Sequence, residues 1–247
     1  MEIQITQDLV QKKSITPNDA GCLHYIEDFL TQRGFINETL TFGRVKNLWS
    51  VKRNNGPLLV FLGHVDVVPT GPENEWEHDP FSGYDDGTFI NGRGTGDMKG
   101  GIACFMSALS RIDVDSLNYS IGFLITADEE GPSKDGTVKV VEELLQRNEK
   151  IDFCLIGEPS TLETVGDNIR IGRRGSINIE LEVLGKQGHA AYPARVDNPI
   201  HKVVPFLDKL LKEVWDEGNE HFPPTSLQLT NITAGVGAHN VTPNNLY

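Results

Sequence analysis

The sequence predicts an α/β protein in which helices cover both faces of a mostly parallel sheet. Three short apolar runs, residues 57–63, 119–126 and 151–157, have the length and composition of strands buried on both faces. Helical patterns at residues 98–111 and 138–146 lie between these runs, so strands and helices alternate along the chain. We therefore expect a three-layer α/β/α domain with polar segments at its strand ends.

A helix is also predicted ahead of the first apolar run. Thr16 is a capping residue, Pro17 suits the first helical turn, and Asp19 adds a favourable negative charge there. Apolar residues then recur at helical spacing over residues 22–30, and Gly34 follows as a stop signal. The pattern predicts an amphipathic helix that begins at Thr16.

The pattern changes in the last third of the chain. Residues 176–183 alternate between apolar and polar side chains, which is typical of a half-exposed strand. A helical pattern follows at residues 198–217, and a further strand is predicted at residues 226–233. We expect a catalytic domain over residues 1–174 and an incomplete, smaller α+β domain over residues 175–247.

Composition excludes several classes of function. The formal net charge is −13 and basic residues form no run, whereas nucleic-acid binding needs clustered lysines and arginines. No stretch approaches the roughly 18 to 20 apolar residues of a membrane helix, and the N-terminal residues lack the apolar run of a signal peptide. We expect a cytoplasmic protein that binds neither nucleic acid nor a membrane.

The three cysteines, Cys22, Cys104 and Cys154, are scattered among apolar residues and form no Cys-x-x-Cys pair. Buried cysteines commonly act as small apolar packing residues. We therefore predict that all three are buried packing residues.

His64 and Asp66 follow the first apolar run, two positions apart. Because side chains alternate along a strand, both leave on the same face and can meet at one centre. His64 is a candidate metal ligand, and Asp66 is a candidate to orient its imidazole. Taken alone, such a pair is more often an ordinary histidine at a strand end than a metal ligand.

Asp97 lies in a glycine-rich segment, NGRGTGDMKGG, just before a predicted helix. Glycines permit a tight fold that projects a carboxylate toward a metal. Neither the dinucleotide pattern nor the Gly-x-x-x-x-Gly-Lys nucleotide pattern is met, so the segment is not predicted to bind phosphates.

Carboxylates follow the other two apolar runs. Asp128, Glu129 and Glu130 come directly after one run, and Glu158 comes after the other. Each motif alone is also compatible with a solvated turn. Together with His64, however, they supply the imidazole and carboxylate ligands that zinc prefers in catalytic sites. Because one of two adjacent carboxylates can bind metal while its neighbour faces water, the set predicts a metal-assisted hydrolase.

The motifs resemble those of the di-zinc metallopeptidases that include carboxypeptidases and aminoacylases, and the resemblance covers nearly the whole chain. The matching segments are GPENEWEHDPF, GRGTGDMKGGIA, TADEEGPSKDGT, GEPS, GDNIRIGRRGS and GKQGHAAYP. The resemblance implies a zinc-peptidase-like catalytic domain and a ferredoxin-like domain that acts as a lid and forms a homodimer.

The resemblance also implies a set of metal ligands. His64 and Glu158 would bind one zinc ion, Glu130 the second, and Asp97 both, with cobalt as an alternative ion to zinc. Glu129 would be the general base. A cis peptide bond would follow the bridging aspartate, between Asp97 and Met98.

Outside the first domain, the resemblance implies that His189 reaches a partner's active site and stabilises the oxyanion of the intermediate. Arg173 and Arg174 are candidates to bind the carboxylates of a dianionic substrate, although arginine pairs are equally often surface residues. Tyr192 and Asn240 are further substrate-binding candidates by position.

The implied activity is hydrolysis of N-succinyl-LL-2,6-diaminopimelate to succinate and LL-2,6-diaminopimelate, a step in the biosynthesis of diaminopimelate and lysine. The segments GRRGS and GKQGHAAYP favour this substrate. Deacetylation of acetylornithine, or of a related N-acylated amino acid, is the near alternative.

Members of the resembled family extend beyond 247 residues and carry a late histidine that completes the second zinc site. The chain ends at Tyr247. We therefore expect a truncated form of a longer enzyme, in which the second zinc site lacks a ligand. An inactive fragment that binds metal or dimerises is the alternative from another functional class.

Overall fold

The three predicted apolar runs form neighbouring strands of one five-stranded sheet. The computed structural model describes all of residues 1–247, which divide into two units, Met1–Ile169 and Arg170–Tyr247. The helices of the first unit are α1 (Glu2–Val10), α2 (Cys22–Thr31), α3 (Gly100–Leu109) and α4 (Thr137–Gln146). Its strands are β1 (Ile36–Phe42), β2 (Val45–Lys52), β3 (Leu58–His64), β4 (Tyr84–Asp85), β5 (Ile90–Asn91), β6 (Ser120–Thr126) and β7 (Phe153–Ile156).

The main sheet has the strand order β1-β2-β6-β3-β7. Strands β6, β3 and β7 are parallel, whereas β1 with β2 and β2 with β6 are antiparallel. The α/β class is confirmed, but the prediction of a mostly parallel sheet is wrong because the sheet is mixed. The reason is a β1–β2 hairpin whose turn uses Gly43 with a φ of 55°, a conformation that glycine adopts without strain.

Helices cover both faces of the sheet, as a three-layer α/β/α domain requires. On one face, side chains of α1, α2 and α3 pack against Phe61, Phe123 and Ile125. On the other face, Val140 and Leu144 of α4 pack against the strands. The two apolar layers exclude water from the sheet between them. This burial fixes the positions of the strand ends.

The segment before α2 differs from its prediction. Residues Thr16 and Pro17 are joined by a cis peptide bond and lie outside the helix, which begins at Cys22 after the N-cap Gly21. Instead, the Thr16 N–H donates to the Val67 carbonyl at 3.0 Å. Pairing with a neighbouring segment has overridden the local capping signals, so the predicted start at Thr16 is wrong.

Strand β7 is an edge strand, and its side chains are exposed rather than buried. Phe153, Leu155 and Ile156 are between 49% and 54% exposed, because β7 pairs only with β3 and no helix covers it. The prediction of a strand buried on both faces is therefore wrong for β7. Cys154 lies on this strand and is exposed, as is Cys104 on α3, so only Cys22 is buried as predicted.

The second unit contains one helix, α5 (Pro199–Lys212), capped by the Asn198 side chain. Its strands are β8 (Val183–Leu184), β9 (Gly188–His189), β10 (Val241–Thr242) and β11 (Asn245–Leu246). The predicted strand at residues 176–183 is thus almost absent and the one at residues 226–233 is not formed, because most of these side chains are exposed. No helix of either unit is long and apolar enough to cross a bilayer.

Candidate metal centre

Parallel pairing brings the carboxyl ends of three strands to one edge of the sheet. His64, the last residue of β3, pairs with Thr126 of β6, and Leu62 pairs with Ile156 of β7. The segments that follow these strands carry the predicted carboxylates, and an irregular turn, Thr95–Lys99, brings Asp97 to the same edge. The site is therefore assembled by the register of the sheet.

His64 is the centre of this arrangement and is 1% exposed. Its Nδ1 lies 2.9 Å from the backbone oxygen of Asp66, so Nδ1 carries the proton and the lone pair is on Nε2. Nε2 lies 3.0 Å from an Asp97 oxygen, 3.5 Å from a Glu158 oxygen and 3.9 Å from a Glu129 oxygen. A lone pair that faces carboxylate oxygens at these distances requires a cation or a proton between them.

The protonation equilibria of the site show the same excess of negative charge. Burial lowers the pKa of His64, but the Asp66 carbonyl and the carboxylates of Asp66, Glu158 and Glu129 raise it more, so its pKa lies above the ordinary value. Burial raises the pKa of the Glu130 carboxyl, and the neighbouring carboxylate of Asp97 raises it further. Both shifts favour a bound proton, which a metal cation would replace.

Two overlapping groups of side chains can each hold a metal ion. One comprises His64, Asp97 and Glu130, and the other comprises His64, Glu129 and Glu158, with the ligand atoms of each group within 4.8 Å of one another. An imidazole nitrogen with carboxylate oxygens is a donor set that suits zinc and similar divalent ions. The residues present therefore fit a metal centre.

Close backbone packing positions two of the candidate ligands, Asp97 and Glu158, near the start of α3. The peptide bond between Asp97 and Met98 is cis, which confirms that expectation. A Cβ atom on Gly101 would lie 2.5 Å from the Gly157 carbonyl oxygen, closer than real contacts allow. The absence of a side chain at Gly101 therefore lets the start of α3 approach the strand end that carries Glu158.

Asp66 is fully buried, and its carboxylate accepts the backbone N–H groups of Glu129 at 3.2 Å and Glu130 at 3.0 Å. The His64 imidazole hydrogen-bonds the backbone oxygen of Asp66, whereas the carboxylate lies 3.6 Å from Nδ1. Asp66 thus orients the histidine through its main chain and the two glutamates through its side chain.

We expect Asp66→Asn to weaken Zn²⁺ binding by about 10- to 100-fold, because asparagine has one acceptor oxygen where the carboxylate has two, and it lacks the negative charge that strengthens these hydrogen bonds. Isothermal titration calorimetry would measure this change. Asp79→Asn is the matched control, since the Asp79 carboxylate also accepts a backbone N–H, that of Phe81, but in the loop before β4 and not from Glu129 or Glu130. Unchanged affinity in Asp66→Asn would contradict the role of this side chain.

Two buried charged residues near the site were not assigned a role from the sequence. Lys99 is 0% exposed and donates to the carbonyl oxygens of Leu9 and Lys12, both at 2.9 Å, and burial lowers its pKa. Asp128 is 3% exposed and binds backbone N–H groups of its own loop. The sequence did indicate that Lys99 is buried, because this charged side chain stands beside an apolar run in DMKGGIACF.

The remaining candidates lie in the second unit. His189 pairs with Val241, and its Nδ1 accepts the Ala191 N–H at 3.1 Å, while its ring lies 5.6 Å from that of Tyr192. The Asn240 carbonyl accepts the Ala190 N–H at 2.9 Å. The structure therefore brings His189, Tyr192 and the Asn240 backbone into one loop region.

The predicted arginine pair is exposed. The guanidinium of Arg174 lies 3.5 Å from the Pro224 carbonyl oxygen, and the Arg173 side chain is open to solvent. Both side chains are therefore accessible to a ligand.

An α/β sheet with a histidine and several carboxylates at its strand ends is the architecture of a metal-dependent hydrolase. The chain belongs to peptidase family M20/M25/M40, whose model matches residues 60–236. The family implies a divalent metal ion at this site.

Two curated relatives are named succinyl-diaminopimelate desuccinylase. The one from Hydrogenovibrio crunogenus is 52% identical over 244 residues, which cover 98% of this chain and 65% of the relative. The one from Marinobacter nauticus is 52% identical over 243 residues, covering 98% of this chain and 64% of the relative. The chain thus spans about 65% of the length of these relatives.

Solved structures agree on the fold. An M20 family metallo-carboxypeptidase from Sulfolobus solfataricus superposes with a TM-score of 0.69 at 18% identity, over 99% of this chain and 69% of the other. Human carnosine dipeptidase 1 gives a TM-score of 0.68 at 18% identity, over 99% and 67% of the two chains. At these identities the likeness establishes the fold alone.

Proposed function

We propose that the protein is a zinc-dependent amide hydrolase that cleaves N-succinyl-LL-2,6-diaminopimelate into succinate and LL-2,6-diaminopimelate. The observation that carries the proposal is the cluster around His64, in a chain 52% identical to proteins named succinyl-diaminopimelate desuccinylase. We place the reaction in the cytoplasm and in the biosynthesis of diaminopimelate and lysine.

In this proposal His64 and Glu158 would hold one zinc ion, Glu130 would hold the second, and Asp97 would be a ligand of both. The short distances from His64 Nε2 to Asp97 and Glu158 support the first part of the assignment. Bound zinc lowers the pKa of a water molecule and polarises the amide carbonyl. All of these ligands lie within residues 1–174, which we assign to the catalytic domain.

Glu129 is the proposed general base. Its side chain is 49% exposed, and its carboxylate lies 3.9 Å from His64 Nε2, beside the ligands yet open to solvent. The carboxylate takes a proton from the attacking water and delivers it to the nitrogen of the leaving amine, so that the amide and water become a carboxylate and an amine. The hydrogen bond from its backbone to Asp66 holds it in place.

We assign residues 175–247 to the lid and dimerisation domain of a homodimer. In this assignment His189 stabilises the oxyanion in a partner's site, and Arg173 and Arg174 bind the carboxylates of the dianionic substrate. Exposure of both arginines supports this role, since a bound carboxylate must reach them. Tyr192 and Asn240 complete the proposed substrate contacts.

The first experiment is to measure zinc per folded chain after chelation and reloading. Two ions per chain would support the full ligand assignment, one would limit it to the site formed by His64, Asp97 and Glu158, and none would contradict it.

Turnover of succinylated and acetylated substrates by the zinc-loaded chain then tests the specificity. We expect the succinylated substrate to be hydrolysed faster. A clear preference for acetylornithine would overturn the assignment in favour of a deacetylase.

A further inference from the structure

The proposed base and one proposed metal ligand are adjacent residues of an irregular loop. This loop, which we call the acidic loop, comprises Asp128–Gly136 and lies between the end of β6 and the start of α4. It contains no helix or strand, so its own backbone hydrogen bonds cannot hold Glu129 and Glu130 in place. Other contacts must fix the loop if the two carboxylates are to meet the other ligands.

A buried carboxylate at the start of the acidic loop supplies such contacts. Asp128 is 3% exposed, and its Oδ1 accepts the Ser133 N–H at 3.2 Å. Its Oδ2 accepts the N–H groups of Lys134 and Asp135, both at 3.0 Å. The side chain therefore joins both halves of the loop, with Glu129 and Glu130 on the segment between.

The backbone wraps tightly around this carboxylate. A Cβ atom on Gly131 would lie 2.9 Å from Asp128 Oδ1 and 2.6 Å from the Thr16 hydroxyl. At the far end of the loop, Asn47 of β2 donates to the Asp135 carbonyl at 3.0 Å. These contacts, together with the Asp66 bonds to the Glu129 and Glu130 amides, leave the loop little freedom to shift.

We propose that Asp128 is a positioning residue for the metal centre: by binding the amides of residues 133–135, it sets the loop conformation that presents Glu130 to the metal and Glu129 to the substrate. The proposal rests on the proposed function. Asp128 touches neither metal nor substrate in this role and acts through the backbone. A carboxylate suits it because one side chain can accept three N–H groups at once.

Asp128→Asn tests the proposal with little change in side-chain volume, because asparagine loses one acceptor oxygen and places N–H groups against backbone donors. Calorimetric titration of the full chain measures the affinity for Zn²⁺. The relevant ion is the one that Glu130 is proposed to hold, and Glu130→Gln identifies it by weakening its binding. We expect Asp128→Asn to weaken this ion by about 10- to 100-fold, as outer contacts of metal ligands typically do.

Asp167→Asn is the matched control. The Asp167 carboxylate also accepts three backbone N–H groups, those of residues 162–164, but in an exposed loop. We expect its zinc affinity to equal that of the unaltered chain.

A double-mutant cycle separates positioning from general destabilisation. If Asp128 acts through Glu130, Asp128→Asn causes no further loss of zinc affinity in a Glu130→Gln background. A loss that is fully additive, or the absence of any loss in Asp128→Asn alone, would overturn the proposal. If the unaltered chain binds no zinc, the proposed function fails and this inference fails with it; if it binds zinc and Asp128→Asn binds equally well, only the inference fails.

Amide hydrogen exchange gives a second measurement that stands even if Asp128→Asn does not fold. Zinc binding to the unaltered chain is expected to slow exchange at residues 133–135 and to leave residues 162–164 unchanged, because only the first set is linked through Asp128 to the metal centre. Equal exchange at residues 133–135 with and without zinc would overturn the proposal.

Discussion

Replacing Glu129 by glutamine is expected to lower turnover of the succinylated substrate by about 10²- to 10⁴-fold, the usual contribution of a general base. Glutamine keeps the shape of the side chain and the backbone N–H that binds Asp66, so the loop conformation should persist. It cannot take a proton from water. Initial rates at saturating substrate would measure the change in kcat.

The companion measurement for this variant is its zinc content, which should match that of the unaltered chain because Glu129 is not a proposed ligand. Glu142→Gln serves as the control, since Glu142 lies on the solvent face of α4, where it pairs with Lys139. A Glu129→Gln enzyme that retained turnover within tenfold of the unaltered chain, an energy difference of about 1.4 kcal/mol, would remove Glu129 from the mechanism.

Replacing His64 by asparagine is expected to abolish stable binding of the zinc ion that His64 holds with Glu158, and to weaken the second ion, which shares Asp97 with the first. His64 belongs to both groups of candidate ligands, and it supplies their only nitrogen donor. The loss of zinc affinity should exceed the roughly 10- to 100-fold loss that follows removal of a side chain that only contacts a metal ligand. The measurement is the number of zinc ions retained per chain after dialysis, by elemental analysis.

His24→Asn is a suitable control, because His24 also lies near two carboxylates, those of Glu27 and Asp28. Its side chain is 76% exposed, so solvent competes with any metal there. If His64→Asn retained as much zinc as His24→Asn, the metal centre would have to lie elsewhere in the chain.

The candidate site was largely predictable from the sequence because its residues follow continuous apolar runs. Such runs mark buried strands, and the ends of parallel neighbours converge, which brings His64 and Glu158 together. The role of Asp128 was not predictable in the same way. Its partners are backbone N–H groups of a loop, and these leave no pattern in the side chains.

The parts of the fold that sequence patterns missed were decided by tertiary contacts. Local signals at Thr16 favoured a helix start, but pairing with Val67 was stronger. Strand β1 has neither a continuous apolar run nor a regular alternation of polar and apolar residues, so the hairpin that makes the sheet mixed left only a weak signal. Conversely, β7 has the composition of a buried strand but lies at an edge.

The parallel pairing of β6, β3 and β7 has a consequence for how the chain acquires its metal. The ligands belong to segments far apart in sequence that meet only after non-local strand pairing, the slow part of folding in sheets of this kind. No isolated hairpin or helix of the chain contains a complete ligand group, so the unfolded chain has no comparable affinity to compete for the ion. The rate of zinc uptake during refolding should therefore equal the rate at which the sheet is completed. Saturating zinc should also raise the melting temperature, because it binds the folded chain and not the unfolded one.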